Sequence, residues 1–306
     1  MLDVRRLWLL RDLAHLGTIA AVAKAHAYTP SAVSQQLAVL QREAGVPLLA
    51  HTGRSVRLTV AGTALVRHAE TVFAALEAAS ADLAAARTRL TGTVRIGAFP
   101  SAVRTLLPPA LVALAGDHPG LDLMVTELDP VAVPDALRDG RLDVGLLHDY
   151  DTAPIAPDPT LDSLPLLDET VFLAVPSATA IMTIGDARDA GWIVGTPGTL
   201  CHSVAAIACR GAGFSPMVRH HADDFTAVLA LVAAGQGVAL VPHLGATGLP
   251  PGVRLVPLGV RRRTRVAHRR GSGTHPAVAA CVAALRASAA GLRLPQVAGA
   301  VAEGAG

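Results

Sequence analysis

Residues 29–62 read TPSAVSQQLAVLQREAGVPLLAHTGRSVRLTVAG, and the caps, apolar spacing and turns in this stretch decide the fold of the first part of the chain. Thr29-Pro30 supplies an N-cap followed by proline at the first helical position, where its missing N–H costs nothing. The spacing predicts a helix over 30–44 that buries Val33, Leu37 and Leu40, exposes Ser31, Ser34 and Gln35, and closes at Gly45. Upstream, Leu7, Leu10 and Leu13 with Leu9 and Leu16 repeat at helical spacing and predict a helix over 4–16. Gly17 ends it, and Thr18 caps a shorter helix over 19–25. His26-Ala27-Tyr28 then makes a tight connection. Two short helices joined in this way, the second opening with polar residues, are helix-turn-helix geometry. Downstream, residues 51–58 predict a small β-hairpin with a glycine turn and two arginines, placed as a wing.

The side chains of that second helix suit base edges. Gln can bond adenine bidentately, and Ser reaches either base type or a phosphate. Pro30, Ser31, Ser34 and Gln35 are the expected base-facing set, and Thr29, Gln36 and Arg57 the expected phosphate-positioning set. Arg54, at the hairpin tip, is expected in the minor groove. A merely solvated polar face is the competing reading. Charge placement leans toward DNA: residues 1–90 carry ten Lys and Arg against six Asp and Glu, and the rest carries sixteen against eighteen.

The motif is more specific than its spacing. Ala32-Val33-Ser34, Leu40, Gly45-Val46-Pro47-Leu48, Gly53-Arg54, Leu58-Thr59 and Gly62 together resemble the signature of LysR-type transcriptional regulators. The resemblance extends more loosely to about residue 290. It implies a bacterial, cytoplasmic regulator that binds double-stranded DNA at an interrupted palindrome as a dimer or dimer of dimers. It also implies control by a small-molecule effector, needs no cofactor, and leaves RNA polymerase open as a further partner. Two departures stand out. Gln35 occupies a position where many members carry Arg, which should alter base preference. Leu49 and His51 replace a common Phe and Arg, which should change wing packing and remove a phosphate contact.

From Thr59 to Leu90 there is no proline, and only one glycine, Gly62. Leu65, Ala69, Val72, Leu76, Ala79, Leu83, Ala86 and Leu90 alternate in steps of four and three, a heptad seam. The first six are the expected dimerisation residues, against the plainer reading of a helix lying on its own domain.

Beyond Thr91-Gly92, strands and helices alternate. Strands are predicted over 94–98, 121–126 and 144–147, with helices over 101–115 and 131–139, as a parallel βαβαβ lobe. A second set follows, with strands over 170–175, 193–195, 218–220 and 238–241 and helices over 203–213 and 225–234. Strands over 254–258 and 265–269 and a helix over 276–289 return to the first lobe. The expected fold class is therefore α/β with an all-α N-terminal part. Its pieces are a winged helix-turn-helix (1–58), a long linker helix (59–90) and a two-lobed α/β effector domain like that of periplasmic binding proteins (91–293). Lobe 1 is drawn as 91–162 and 266–293, lobe 2 as 163–265, and 294–306 as a flexible tail.

In open α/β sheets, ligands bind beyond the carboxyl ends of strands, near helix N-termini. That rule and the family resemblance select Phe99, Pro100, Ser101, Glu127, Leu128, Asp149, Thr199, Cys201, His202, Ser203 and Phe225 as effector-binding residues, with the segment His148-Asp149-Tyr150 among the expected walls. An anionic ligand is only one of the options.

Other chemistries are weaker. The most apolar stretch, 226–242, is broken by glycines and shorter than the ~20 residues that span a bilayer. Three cysteines suit a reducing compartment. Cys201 and Cys209 are eight residues apart, and some members of the resembled family sense peroxide with a cysteine pair here, although the spacing differs. Cys209 is expected as a buried small hydrophobe. Cys201-His202, His220-His221 and Asp223-Asp224 lack a metal-site spacing. Arg261-Arg262-Arg263 reads as a charged, exposed strand edge. No catalytic signature is present, so the chain is read as a sensor and not an enzyme or an exported solute-binding protein.

Overall fold

The computed structural model describes residues 1–52, 55–85 and 89–292, which form two compact units divided near Ala79. In the first, α1 (Val4–Leu16), α2 (Ile19–Ala25) and α3 (Pro30–Ala44) have the predicted bounds. Their ends follow from local chemistry. Asp3 accepts from the Arg5 and Arg6 amides, Thr18 from Ala21 N and Thr29 from Ala32 N, while Gly17 and Gly45 adopt left-handed conformations at the C-termini. Leu7, Leu10, Leu13, Val22, Val33, Leu37 and Leu40 form the shared core.

The connection between α2 and α3 is tied to α1. His26 Nε2 lies 2.5 Å from Asp12 Oδ2, and Arg11 bonds the other carboxylate oxygen at 2.8 Å. The wing strands β1 (Leu49–Thr52) and β2 (Ser55–Leu58) pair antiparallel, beginning two residues earlier than expected. Gln41 Oε1 fixes the wing to α3 by accepting from the Leu48 and Leu49 amides at 2.9 and 3.0 Å. Gly62 is required here, because a Cβ would lie 2.2 Å from the Leu48 carbonyl oxygen.

The linker helix α4 spans Val60–Ala85, shorter than its predicted range. Its seam divides in two. Leu65 and Ala69 pack with Phe73 into the core of the first unit, which corrects their assignment to an intermolecular seam. Val72, Leu76, Ala79 and Leu83 remain exposed. Ala86 lies outside the described residues, as do Arg54 and the tail 294–306.

In the second unit, β3 (Gly92–Ala98) runs parallel to β4 (Leu121–Glu127) and β5 (Val144–Tyr150). Between them, the helix predicted over 101–115 is two helices, α5 (Pro100–Thr105) and α6 (Leu107–Asp117). Pro108 and Pro109 explain the break. Neither can donate back to the previous turn, but both are tolerated in the first turn of a new helix. A 3-10 turn at Pro130–Ala132 leads into α7 (Val133–Arg138).

Two long strands carry the chain between lobes: β6 (Leu161–Pro176) and, after the second lobe, β10 (Val253–Arg269). They pair antiparallel along most of their length, with a register shift between Pro257 and Arg261. A proline lacking its N–H is accommodated at such an irregularity. The separate strands expected over 254–258 and 265–269 are therefore one. The lobe boundaries drawn at 162/163 and 265/266 fall inside continuous strands. Arg262 to Ala267 also pair with β5, which puts that segment in the first lobe's sheet. The sheet order is β4-β3-β5-β10-β6-β9, mixed and not wholly parallel.

The second lobe adds β7 (Gly191–Val194), α8 (Leu200–Gly211), β8 (Met217–His221), α9 (Phe225–Ala233) and β9 (Ala239–Pro242). The final helix α10 (Pro276–Gly291) packs against the first lobe's core with α6. Among the described residues, no helix is long and apolar enough to cross a membrane.

Candidate functional site

The outward face of α3 presents polar side chains at one end of the first unit. Thr29, Pro30, Ser31, Ser34, Gln35 and Gln36 are all exposed, and so is Arg57 on β2. The buried partners Val33, Leu37 and Leu40 fix the helix rotation that leaves this set outside. The set is also partly preordered. Thr29 and Ser31 hydroxyls lie 3.0 Å apart, Ser34 Oγ donates to Pro30 O at 2.9 Å, and Gln36 Oε1 accepts from Arg6 Nε at 2.9 Å.

In the second unit a cavity of about 190 Å³ opens at the carboxyl ends of β3, β4 and β5, opposite the N-terminal ends of α8 and α9. Phe99, Pro100, Ser101, Glu127, Leu128, Thr199, Cys201 and Phe225 line it, eight of the eleven expected residues. The other three turn away for reasons of periodicity. Asp149 follows His148 on β5, so it faces the opposite side and lines an adjoining cavity with Leu147, Ile155 and Leu161, which shares Pro130 and His148 with the first. Along α8 each residue rotates about 100° from the last. Cys201 points to the cavity, while His202 Nδ1 lies 3.1 Å from Gly195 O and the exposed Ser203 donates to Thr199 O.

Asp129, Pro130, Asp223 and Arg262 complete the lining and were not among the expected residues. His148, from the wall segment expected over 148–150, lines it too and shares the strand parity of the buried Leu146. Arg262 corrects the reading of an exposed charged edge. Strand β10 is central, and its alternation exposes Arg261 and Arg263 while burying Arg262 completely. Other arginines of that run are engaged as well: Arg261 pairs with Asp168, Arg265 bonds Ser163, and Arg270 lies 3.5 Å from Asp162.

The Arg262 guanidinium forms the cavity floor. It pairs with buried Glu169 at 2.7 and 2.8 Å, lies over the Phe99 ring at 4.9 Å, and reaches Ser101 Oγ at 3.4 Å. Glu169 also accepts from the Leu244 amide. His148 meets Phe99 and Tyr150 edge to face, with centroids 4.8 and 5.5 Å away. Burial, and then the nearby Arg262 charge, push its pKa well below the usual imidazole value, so the ring is neutral. Its Nδ1 is buried with no partner.

Tyr150 Oη and Cys201 Sγ lie 3.7 Å apart. Burial pushes the Cys201 thiol up, against the opposing influences of Arg262 and Tyr150. Cys209 sits in the core of the second lobe, where burial raises its thiol to about 11. Across the mouth, Arg104 on α5 bonds Thr226 and lies 3.6 Å from Asp224, linking the two lobes. Among the described residues, no group of three or more His, Cys, Asp or Glu side chains stands close enough to hold a metal ion.

A winged helix-turn-helix joined to a two-lobed α/β unit with a cleft at its strand ends defines a DNA-binding regulator with an effector domain. Comparisons with known proteins agree. Residues 4–63 match "Bacterial regulatory helix-turn-helix protein, lysR family", and residues 87–290 match "LysR substrate binding domain". The chain belongs to the LysR family of transcriptional regulators. It is 28% identical to the transcriptional dual regulator GltC of Bacillus subtilis, over 70% of this chain and 71% of that protein. It is 30% identical to a probable hydrogen peroxide-inducible genes activator of Streptomyces viridosporus, over 76% of this chain and 78% of the relative. Among solved structures, full-length BenM superposes with a TM-score of 0.57. That match has 22% identity and covers 96% of this chain and 99% of the other, and it supports the fold.

Proposed function

We propose that the regulator reads a two-fold, interrupted operator as a homodimer or a dimer of dimers, and that a small molecule in the interlobe cavity controls its output. The observation that carries the DNA reading is the exposed polar face of α3, held in place by Val33, Leu37 and Leu40. Ser31, Ser34 and Gln35, with Pro30, approach base edges. Thr29, Gln36 and Arg57 contact phosphates, and Arg54, outside the described residues, is assigned to the minor groove. The exposed α4 residues Val72, Leu76, Ala79 and Leu83 form the pairing stripe. Access to DNA places the protein in the cytoplasm. RNA polymerase is a further partner that such a position on DNA allows.

The test starts from an operator selected out of a random duplex pool. Ser34→Ala with Gln35→Ala is expected to weaken specific binding by about 10- to 100-fold, following the ~1–3 kcal/mol of a good base contact. The oligomeric state should be unchanged. An unaltered footprint would refute the assignment of α3 as the reading helix.

The effector reading rests on the cavity, whose position at strand ends and between lobes suits a hinge-like response. The raised Cys201 thiol suits a binding wall better than a nucleophile or a peroxide-reactive group, both of which work as thiolates. At neutral pH, the thiols of the folded protein should react with a disulfide reagent at least ten times more slowly than those of the unfolded chain. Rapid labelling of Cys201 would reverse this view and favour redox sensing.

A further inference from the structure

We infer that the cavity selects a small organic cation, a protonated amine on a compact apolar body. The inference rests on the reading of the cavity as the effector site. Its starting point is that the floor cation is already matched. Arg262 spends its charge on Glu169, its ring contact on Phe99 and a further donor on Ser101, so it has little left to offer an incoming carboxylate.

The other charged side chains of the lining are all carboxylates. Glu127, Asp129 and Asp223 line the cavity, and none of them carries an ion pair among the described residues. The hydrogen bonds of the two aspartates come from neutral groups. Asp129 Oδ1 accepts from Val131 N at 2.9 Å, and Asp223 accepts from Thr196 N and Oγ1 at 2.8 and 2.6 Å. Burial raises the Asp129 carboxyl, the Val131 bond opposes this, and the charge of Asp223 adds to the rise. Both carboxylates line the same cavity, where a cation between them would be favoured by their like charge.

A second feature points to a ligand independently. His148 stands between this cavity and the adjoining one, is 3% exposed, and keeps a buried Nδ1 with no partner among the described residues. Buried polar atoms are seldom left unpaired. A neutral imidazole offers a lone pair to a donor, and an ammonium group supplies several N–H donors. Phe99, Leu128, Pro130 and Phe225 give the body of the ligand its apolar contacts. A cavity of about 150 Å³ admits benzene, so about 190 Å³ suits roughly eight heavy atoms.

The probes are benzylamine, benzyl alcohol and benzoate, which differ mainly in charge. Each is titrated into the full-length protein at neutral pH, with calorimetry and thermal shift as readouts. Benzylamine should bind at least tenfold more tightly than benzyl alcohol, and benzoate more weakly than either. Glu127→Gln, Asp129→Asn and Asp223→Asn together should erase the preference for the amine over the alcohol. A melting temperature equal to the parent's, which the exposed Glu127 and Asp223 and the half-buried Asp129 favour, shows that the variant folds. Amine binding no tighter than alcohol binding, or a preference that survives in the triple variant, overturns the charge inference and leaves the cavity as the effector site. Failure of all three probes overturns the inference about the ligand's body and charge and leaves the effector reading standing.

Discussion

Glu169→Gln is expected to lower the thermal unfolding midpoint of the effector domain in the full chain by about 6–20 °C. The reason is the state in which it leaves Arg262. That guanidinium is fully buried, and its principal partner is Glu169, itself 1% exposed. Removing one member of a buried ion pair strands the other charge in a poorly polarisable interior, which costs ~3–5 kcal/mol. For a domain of this size, each kcal/mol shifts the midpoint by about 2–4 °C. Gln keeps the volume of Glu and retains an oxygen for the Leu244 amide, so the loss reports charge and not a cavity or an orphaned backbone donor. Adding Arg262→Met to the same chain removes the stranded charge and should recover most of the loss. A single variant that melts within about 2 °C of the parent, a loss of about 1 kcal/mol or less, would mean that Arg262 is solvated or paired elsewhere. The pair also joins β10 to β6 beneath the cleft, so the double variant should show altered ligand affinity even where stability returns.

The difference between what was legible in the sequence and what was not follows the range of the forces involved. The three helices of the first unit were readable to the residue because their ends are set by Thr18, Thr29, Pro30, Gly17 and Gly45, each acting within a few positions of itself. The long crossing strands were not. Leu161 to Thr170 holds Pro165 and several polar residues, and it becomes strand because β10 supplies partners 91 to 108 residues away. The arginine run misled for the same reason. Three adjacent arginines look solvated, and only the pairing of β10 on both sides turns the middle one into the core. At the cavity, the segments were legible from the rule about strand ends, but side-chain direction was not. Asp149, His202 and Ser203 sit beside lining residues and face elsewhere, and Asp129 and Asp223 enter through turns whose course no local pattern fixes.

Leu76→Asp with Leu83→Asp is expected to convert the protein to a monomer and to lower its affinity for a full operator by about 10²- to 10⁴-fold. Helix α4 uses its two faces differently. Leu65, Ala69 and Phe73 are committed to the core of the first unit, whereas Val72, Leu76, Ala79 and Leu83 step by four, three and four along an exposed stripe. Leu83 is 75% exposed, which water would not favour for an apolar row with no partner helix. Paired in an antiparallel or parallel sense, the stripe buries apolar area, and aspartates there would bring unpaired charge into the seam. Neither substitution touches the core around α3, so binding to an isolated half-site should stay near the parent's value. Sedimentation and titration of full and half operators must then move together, because the second half-site is held only through the first. A variant that still sediments as a dimer would place the interface elsewhere on the chain. A monomeric variant that holds the full operator as tightly as the parent would show that a single α3 does all the reading, and that the operator has no functional two-fold symmetry.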